Sequence, residues 1–275
     1  MNKEDFIISA FKNKFNGDDG AIIGKYCFSK DLFVEDVHFK KKWLSYEELA
    51  RKAMLINISD AIVMNSVPKY ALLGLALPKD ISKADTKALQ KGFLSTAREF
   101  GIQIIGGDTI SSDEIIISLT IISKVRKKAI FRKGLKKGDL LAFTGDLGQS
   151  LKDLNTLLKG GKITSNSKFK KPILRAEFFY KIASKINCAM DISDGLSKDL
   201  SRLLDINKLG VKFFKKLSKD ELFSGEEYEI LFGFNAKYEK EIQKIASKMG
   251  VKITIFAEAI KGKYKFKGKE HHFEN

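Results

Sequence analysis

Seven aspartates stand at or beside the ends of apolar segments in this chain. GDDGAII carries Asp18 and Asp19, SKDLFVEDVHF carries Asp31, LINISDAIVM carries Asp60, IIGGDT carries Asp108, and AMDISDGL carries Asp191 and Asp194. Any one of them can be a turn residue or a helix N-cap. So many at the ends of strands and helices can instead converge on one cleft, where hard carboxylate oxygens hold Mg²⁺. Asp60 is the sharpest case, because a carboxylate among apolar neighbours is costly unless it is paired, hydrogen-bonded or metal-bound. Glycines flank several of these acids. In IIGGDT and TGDLGQS, residues without a Cβ let backbone N–H groups approach a phosphate, although TGDLGQS alone reads better as a tight turn. AMDISDGL adds Ser193 and the start of a helix, a place that stabilises anions. The chemistry indicated is magnesium with polyphosphate.

Familiar nucleotide signatures are missing. The chain has no GxxxxGK[ST], no GxGxxG, no HRD or DFG pair and no GxSxG elbow. Its histidines are His38, His271 and His272, which leaves few candidates for imidazole chemistry.

The elements that must position these acids follow from periodicity. Ile-, Val- and Phe-rich runs predict strands at 20–24, 32–39, 70–77, 102–106, 115–124, 139–144, 189–192, 211–214, 228–234 and 252–258. Helical spacing predicts helices at 3–14, 46–64, 82–100, 147–159, 174–186, 195–206 and 237–249. The mixture is an α/β (α+β) chain. At 275 residues there is room for two domains, and the turn RKGLKKGD places the boundary so that 1–134 and 135–275 are the two units.

Composition sets further limits. A hydrophobic share of 44% supports a core, and three prolines argue against long linkers. No uncharged apolar run reaches membrane-spanning length, and the opening MNKEDFIISAFKNKF mixes acids with lysines, unlike a signal peptide. Cys27 and Cys188 fit no zinc or redox spacing, so a reduced cytoplasm is the expected compartment. The net charge of +16 invites a nucleic-acid reading, but the lysines are spread along turns and element ends with no nucleic-acid-binding motif. Neither nucleic acid nor membrane is an expected partner, while the positive field suits phosphorylated small molecules.

Taken in order, GDDGAII, SKDLFVEDVHF, NISDAIVMNSVPKYALLGLALP, GIQIIGGDT, FRKGLKKGDLLAFTGDLGQS, CAMDISDGLSKDL, SGEEYEILF and KGKEHHF resemble the thiamine-monophosphate kinases of the AIR-synthetase-like (PurM-like) superfamily. They span residues 17 to 273. GGDT and SDGL are shared across the superfamily, whereas VEDVHF, NISDAIVMNSVP and GEEYE point to the thiamine-phosphate branch. The resemblance implies a two-domain PurM-like fold and direct transfer of the γ-phosphate of ATP onto thiamine monophosphate, with several Mg²⁺ ions between the domains. Asp19, Asp31, Asp60, Asp108, Asp191 and Asp194 match metal-binding positions, and Ser29 can add a ligand. Gly107, Asp108, Arg132 and Ser193 match ATP contacts, and His38, Glu226 and Phe273 match the substrate side. No general base is implied, because the acceptor phosphate oxygen is already charged. Relatives pair as homodimers through their N-terminal domains.

Three stretches depart from the family pattern. Lys30 stands where Thr is usual before the first-strand aspartate, SGEEYE replaces GGEDYE through Ser224 and Glu227, and Gln90 or Lys91 stands where an adenine-side aromatic is common. Individual residues also have plain structural readings: His38 as a half-buried strand histidine, Arg132 as a solvated arginine in a basic run, Glu226 or Glu227 as a turn residue, and Asp18 as the shaper of the turn that presents Asp19. Two other functions stay open at this level. One is an ATP-dependent ligase or dehydratase of the same superfamily that activates an amide or acyl oxygen, and the other is a basic RNA-binding protein that kept the fold without catalysis.

Overall fold

The computed structural model describes residues 3–266. After a short helix α1 (Lys3–Ser9), β1 (Ala21–Ile23) and β2 (Tyr26–Val34) form a hairpin, and α2 (Tyr46–Val63) follows. β3 (Ser66–Pro78), α3 (Lys83–Phe100) and β4 (Gln103–Ser112) make a parallel crossover unit, and β5 (Ile116–Val125) returns between β2 and β3. The strand order is β1-β2-β5-β3-β4. In β5, Ile117, Leu119, Ile121 and Ser123 are buried while their neighbours are not, the alternation of a sheet with one face on a core.

The second half supplies β6 (Asp139–Thr144), α4 (Gln149–Leu158), α5 (Ala176–Ile182), β7 (Ile186–Asp191), α6 (Leu196–Asn207), β8 (Gly210–Phe213), α7 (Lys219–Phe223), β9 (Ile230–Asn235), α8 (Glu239–Lys248) and β10 (Ile253–Ile260). Its sheet has the order β7-β9-β6-β10-β8 with antiparallel neighbours. The two sheets share no strand, and the segment between Val125 and Asp139 joins them.

Helix α2 lies between the halves. A reciprocal capping box, Ser45 with Glu48, starts it. Its buried residues, from Leu49 to Val63, cover nearly every side of the helix, as expected of a helix enclosed by protein rather than lying on a surface. One hydrophobic core joins its Met54, Ile58 and Ile62 to Ile117 and Leu119 of the first sheet and to Ala189 and Phe232 of the second. Helix α3 packs close to it at Gly92, where a Cβ would sit 2.3 Å from the carbonyl oxygen of Glu47.

Several elements differ from the periodicity: β3 starts at Ser66 rather than 70 and β4 runs to Ser112 rather than 106, because the two pair in parallel along their length, and α5 ends at Ile182 rather than 186. β2 begins at Tyr26, six residues before the expected start, because hairpin pairing with β1 extends it, and it ends at Val34. Beyond Val34 the chain turns at Asp36, with φ +60°, whose N–H donates to the carbonyl of Phe39 at 2.7 Å. α1 ends at Ser9 rather than 14, and α7, too short to show helical periodicity, is announced only by the capping box of Ser218 and Glu221. Among the described residues no helix is long and apolar enough to cross a membrane.

Candidate active site

Three segments distant in sequence bring carboxylates together. Asp19 comes from the turn before β1, Asp60 from α2 and Asp191 from the end of β7, and one oxygen of each lies within 4.8 Å of the others. Asp31, on β2, faces the Asp60 carboxyl, and the two titrate together. Burial, more than anything else, lifts Asp31 from 3.8 to about 6. Asp60 and Asp191 stand well above the ordinary range, through burial first and then through their carboxylate neighbours. Among the described residues, the cation that pairs with this group is Arg132, 2.5 Å from Asp19, and its backbone N–H donates to Asp18 at 2.7 Å. Arg132 is therefore part of the site, and Asp18 shapes the turn that carries Asp19. One guanidinium against four clustered carboxyls leaves an excess of buried negative charge, and oxygen donors at this spacing suit divalent magnesium.

Side chains on α2 set this group. Ser59 donates to Asp191 Oδ2 at 2.9 Å, bridging the two halves next to Asp60 itself. Ser29 is buried with its hydroxyl turned to Asn57, donating to Oδ1 at 2.5 Å, and Asn57 in turn donates to the carbonyl of Leu119 at 2.8 Å.

A cavity of about 530 Å³ opens over the acids, and Asp31, Asp60 and Asp191 form part of its lining. Ser193, His38 and Glu226 line it as well, together with Trp43, Phe169 and Tyr228. His38 Nδ1 accepts the backbone N–H of Val34 at 3.1 Å, which leaves the proton of a neutral ring on Nε2. His38 belongs to the turn after β2 rather than to a strand. Glu226 and Tyr228 both have positive φ, +53° and +51°. Strain of this kind persists only where the surroundings enforce it. Burial and then the nearby Glu226, Asp31, Asp191 and Asp60 push the Tyr228 phenol well above 10, so it stays protonated.

The remaining expected residues lie apart. Asp194 is ion-paired with Arg202, and its backbone N–H donates to buried Asp199 at 3.1 Å. Asp108 accepts the N–H of Thr109 and is outside the three-carboxylate group. Cross-strand register aligns Asp108 with Gly74, Ser118 and Leu32, on the opposite face of the sheet from Asp31, whose partner is Leu119. Gly107, with φ +152°, runs so close to β3 that a Cβ would sit 1.8 Å from the carbonyl oxygen of Leu73. Phe273 lies outside the described residues. Sequence reasoning missed Ser59, Tyr228, Trp43 and Phe169. Ser59 and Tyr228 had a signal, being inside NISDA and GEEYE, whereas the two aromatics carried none.

Residues 17–125 match the family described as AIR synthase related protein, N-terminal domain. The thiamine-monophosphate kinase of Buchnera aphidicola subsp. Schizaphis graminum is 32% identical over 267 residues, covering 86% of this chain and 82% of the relative. This chain belongs to the thiamine-monophosphate kinase family. The Pyrococcus abyssi member is likewise 32% identical, over 84% of this chain and 81% of its own. The solved structure of AaThiL complexed with AMPPCP and TMP has the same fold, with a TM-score of 0.86 at 24% identity over 98% of this chain and 96% of that one.

The departures from the family pattern now have physical accounts. Lys30 points away from the acids and hydrogen-bonds Ser118 on the outer face of the sheet. Glu227 is fully buried, accepts the N–H groups of Gly148 at 2.8 Å and Ser150 at 3.1 Å, and pairs with Lys168 at 2.8 Å. It anchors the start of α4, a place that favours a carboxylate. Gln90 and Lys91 are exposed on α3, where Lys91 pairs with Glu47 at 2.8 Å.

Proposed function

We propose that this protein transfers the γ-phosphate of ATP to thiamine monophosphate, giving thiamine diphosphate and ADP. The observation that carries the reading is the cluster of Asp19, Asp60 and Asp191 in the cavity region that also holds Asp31, Ser193, His38 and Glu226. A phosphate oxygen of thiamine monophosphate would form the new P–O bond as the bond from the γ-phosphorus to the β,γ-bridging oxygen breaks, in line. Asp19, Asp31, Asp60 and Asp191 would hold Mg²⁺, with Ser29 nearby and Asp194 as a further ligand, whereas Asp108, on the other face of the sheet, would meet a metal ion only away from this group. Bound magnesium would supply the charge neutralisation that repelling phosphates need. Arg132, Ser193, Gly107 and Asp108 would serve ATP, and His38, Glu226 and Phe273 the thiamine side. The cavity walls would hold the two phosphates in one orientation, the chief work left to the protein when the nucleophile needs no base.

The same reading divides the chain at 134/135 into an N-terminal domain for ATP, metal and pairing and a C-terminal domain. It makes the enzyme a cytoplasmic homodimer. Support for pairing comes from the outer face of the first sheet, where Leu32 and Ile110 are 54% and 60% exposed, and from β4, an exposed edge strand. Purified protein with ATP, Mg²⁺ and thiamine monophosphate should yield thiamine diphosphate by chromatography, and Asp60→Asn should yield little or none. ATP-binding wild type that makes no thiamine diphosphate would refute the kinase reading.

A further inference from the structure

Of the charged residues of α2, Lys52 is the one buried completely, its side chain 0% exposed, and the metal chemistry does not use it. Its ammonium lies 2.7 Å from Glu226 Oε2, across 174 residues of sequence. The ring centroid of Phe169 is 3.7 Å from Nζ and that of Phe33 is 5.6 Å away, so two aromatic faces and one carboxylate enclose the charge. A buried ammonium on a helix locked between two sheets has little freedom to move. Glu226 is therefore held at two points, by its N–H on the carbonyl of Ser193 at 2.7 Å and by Oε2 on Lys52. Its left-handed backbone, φ +53°, needs such restraint.

We infer that Lys52 is a positioning residue: it fixes the Glu226 carboxylate in the cavity so that Oε1 is presented to an N–H donor of the thiamine moiety. The inference rests on the kinase reading above. Lys52 also neutralises Glu226 beside a crowded acidic cluster, which keeps that carboxylate for the organic part of the substrate rather than for cations. Phe169, whose ring covers Nζ, packs edge-on to Trp43 at 6.2 Å, so the cradle is continuous with the aromatic wall of the cavity.

The test is steady-state kinetics on the full chain with Lys52→Met, Glu226→Gln and the double variant. Lys52→Met should raise KM for thiamine monophosphate about tenfold or more, the weight of a charge-assisted hydrogen bond, with KM for ATP unchanged. The double variant should be no worse for thiamine monophosphate than Glu226→Gln alone, because Lys52 acts through Glu226. If Lys52→Met fails to fold, the double variant, which strands no charge, carries the comparison by itself. Equal rises in both KM values, an unchanged KM for thiamine monophosphate, or additive losses in the double variant would overturn the role. Wild type that forms no thiamine diphosphate sinks the kinase reading instead, and the two failures are thus distinct.

Discussion

Replacing Asp31 with Asn should make the metal-free protein more stable at pH 8 while abolishing its activity. Burial raises the Asp31 carboxyl from 3.8 in the unfolded chain to about 6 in the folded one. A group with a raised folded-state value stabilises the fold fully below the unfolded value, and that contribution is lost as pH rises through the folded one. The window here is from about pH 4 to about pH 7. A difference of roughly two pH units corresponds to about 3 kcal/mol, and partial exposure of Asp31 to the cavity brings this to about 2 kcal/mol. Asn carries no charge to titrate, and its amide can donate to Asp60. At about 2 °C per kcal/mol for a chain of this size, the variant should melt about 4 °C higher than wild type at pH 8. The gain should shrink towards zero at pH 4.5. Differential scanning calorimetry with a chelator present at both pH values reads the difference. Asp199, raised to about 7 by burial and then by Asp194, titrates in both proteins and cancels, whereas Asp60, which the Asp31 charge helps to raise, is relieved in the variant and adds to the gain at pH 8. A gain of the same size at both pH values, or a variant less stable than wild type at pH 8 alone, would refute the charge argument.

Two further outcomes follow from the geometry. Glu227→Ala should lower stability by about 3 kcal/mol, because it removes a buried partner of Lys168 and the acceptor for the first N–H groups of α4; thermal melting checks this, and an unchanged Tm would mean that Glu227 is not an anchor. Ile110→Lys should convert the proposed homodimer to monomer in light scattering, because it puts a new charge on the exposed edge strand of the outer face, and an unchanged mass would take that face out of the pairing surface.

Much of this arrangement could be read in the sequence because it is local. Strand alternation in β5 and the helical spacing of α2 and α3 survive any tertiary context, and acids beside glycines at strand ends mark turns whatever the fold. What could not be read is what depends on distant partners. Lys52 looks like a solvated lysine on a surface helix until Glu226 arrives from the other half. Asp108 sits in a strand whose register shifts at Ala71/Leu72, and no local pattern tells which face it takes. The Val- and Phe-rich run predicts a strand over 32–39 with His38 in it, yet the left-handed turn at Asp36, closed by the Phe39 carbonyl, ends the strand at Val34.

The position of α2 ties these observations together. A helix exposed on one side could place Asp60, but Lys52, Asn57, Ser59 and Asp60 reach partners in several directions: Glu226, Ser29 with the Leu119 carbonyl, Asp191, and Asp31. That is possible only for a helix surrounded by protein, and it explains why polar residues interrupt an otherwise apolar run. Each polar contact reaches either the first sheet or elements of the second half, so the spacing of the acids is set by how the two halves seat on one rod. Sliding one half along the helix by a fraction of a turn would separate Asp191 from Asp60 and Glu226 from Lys52 together. The acid cluster and the Lys52–Glu226 pair are thereby coupled through packing alone, which gives the unusually complete burial of α2 a part in the geometry of the candidate site as well as in stability.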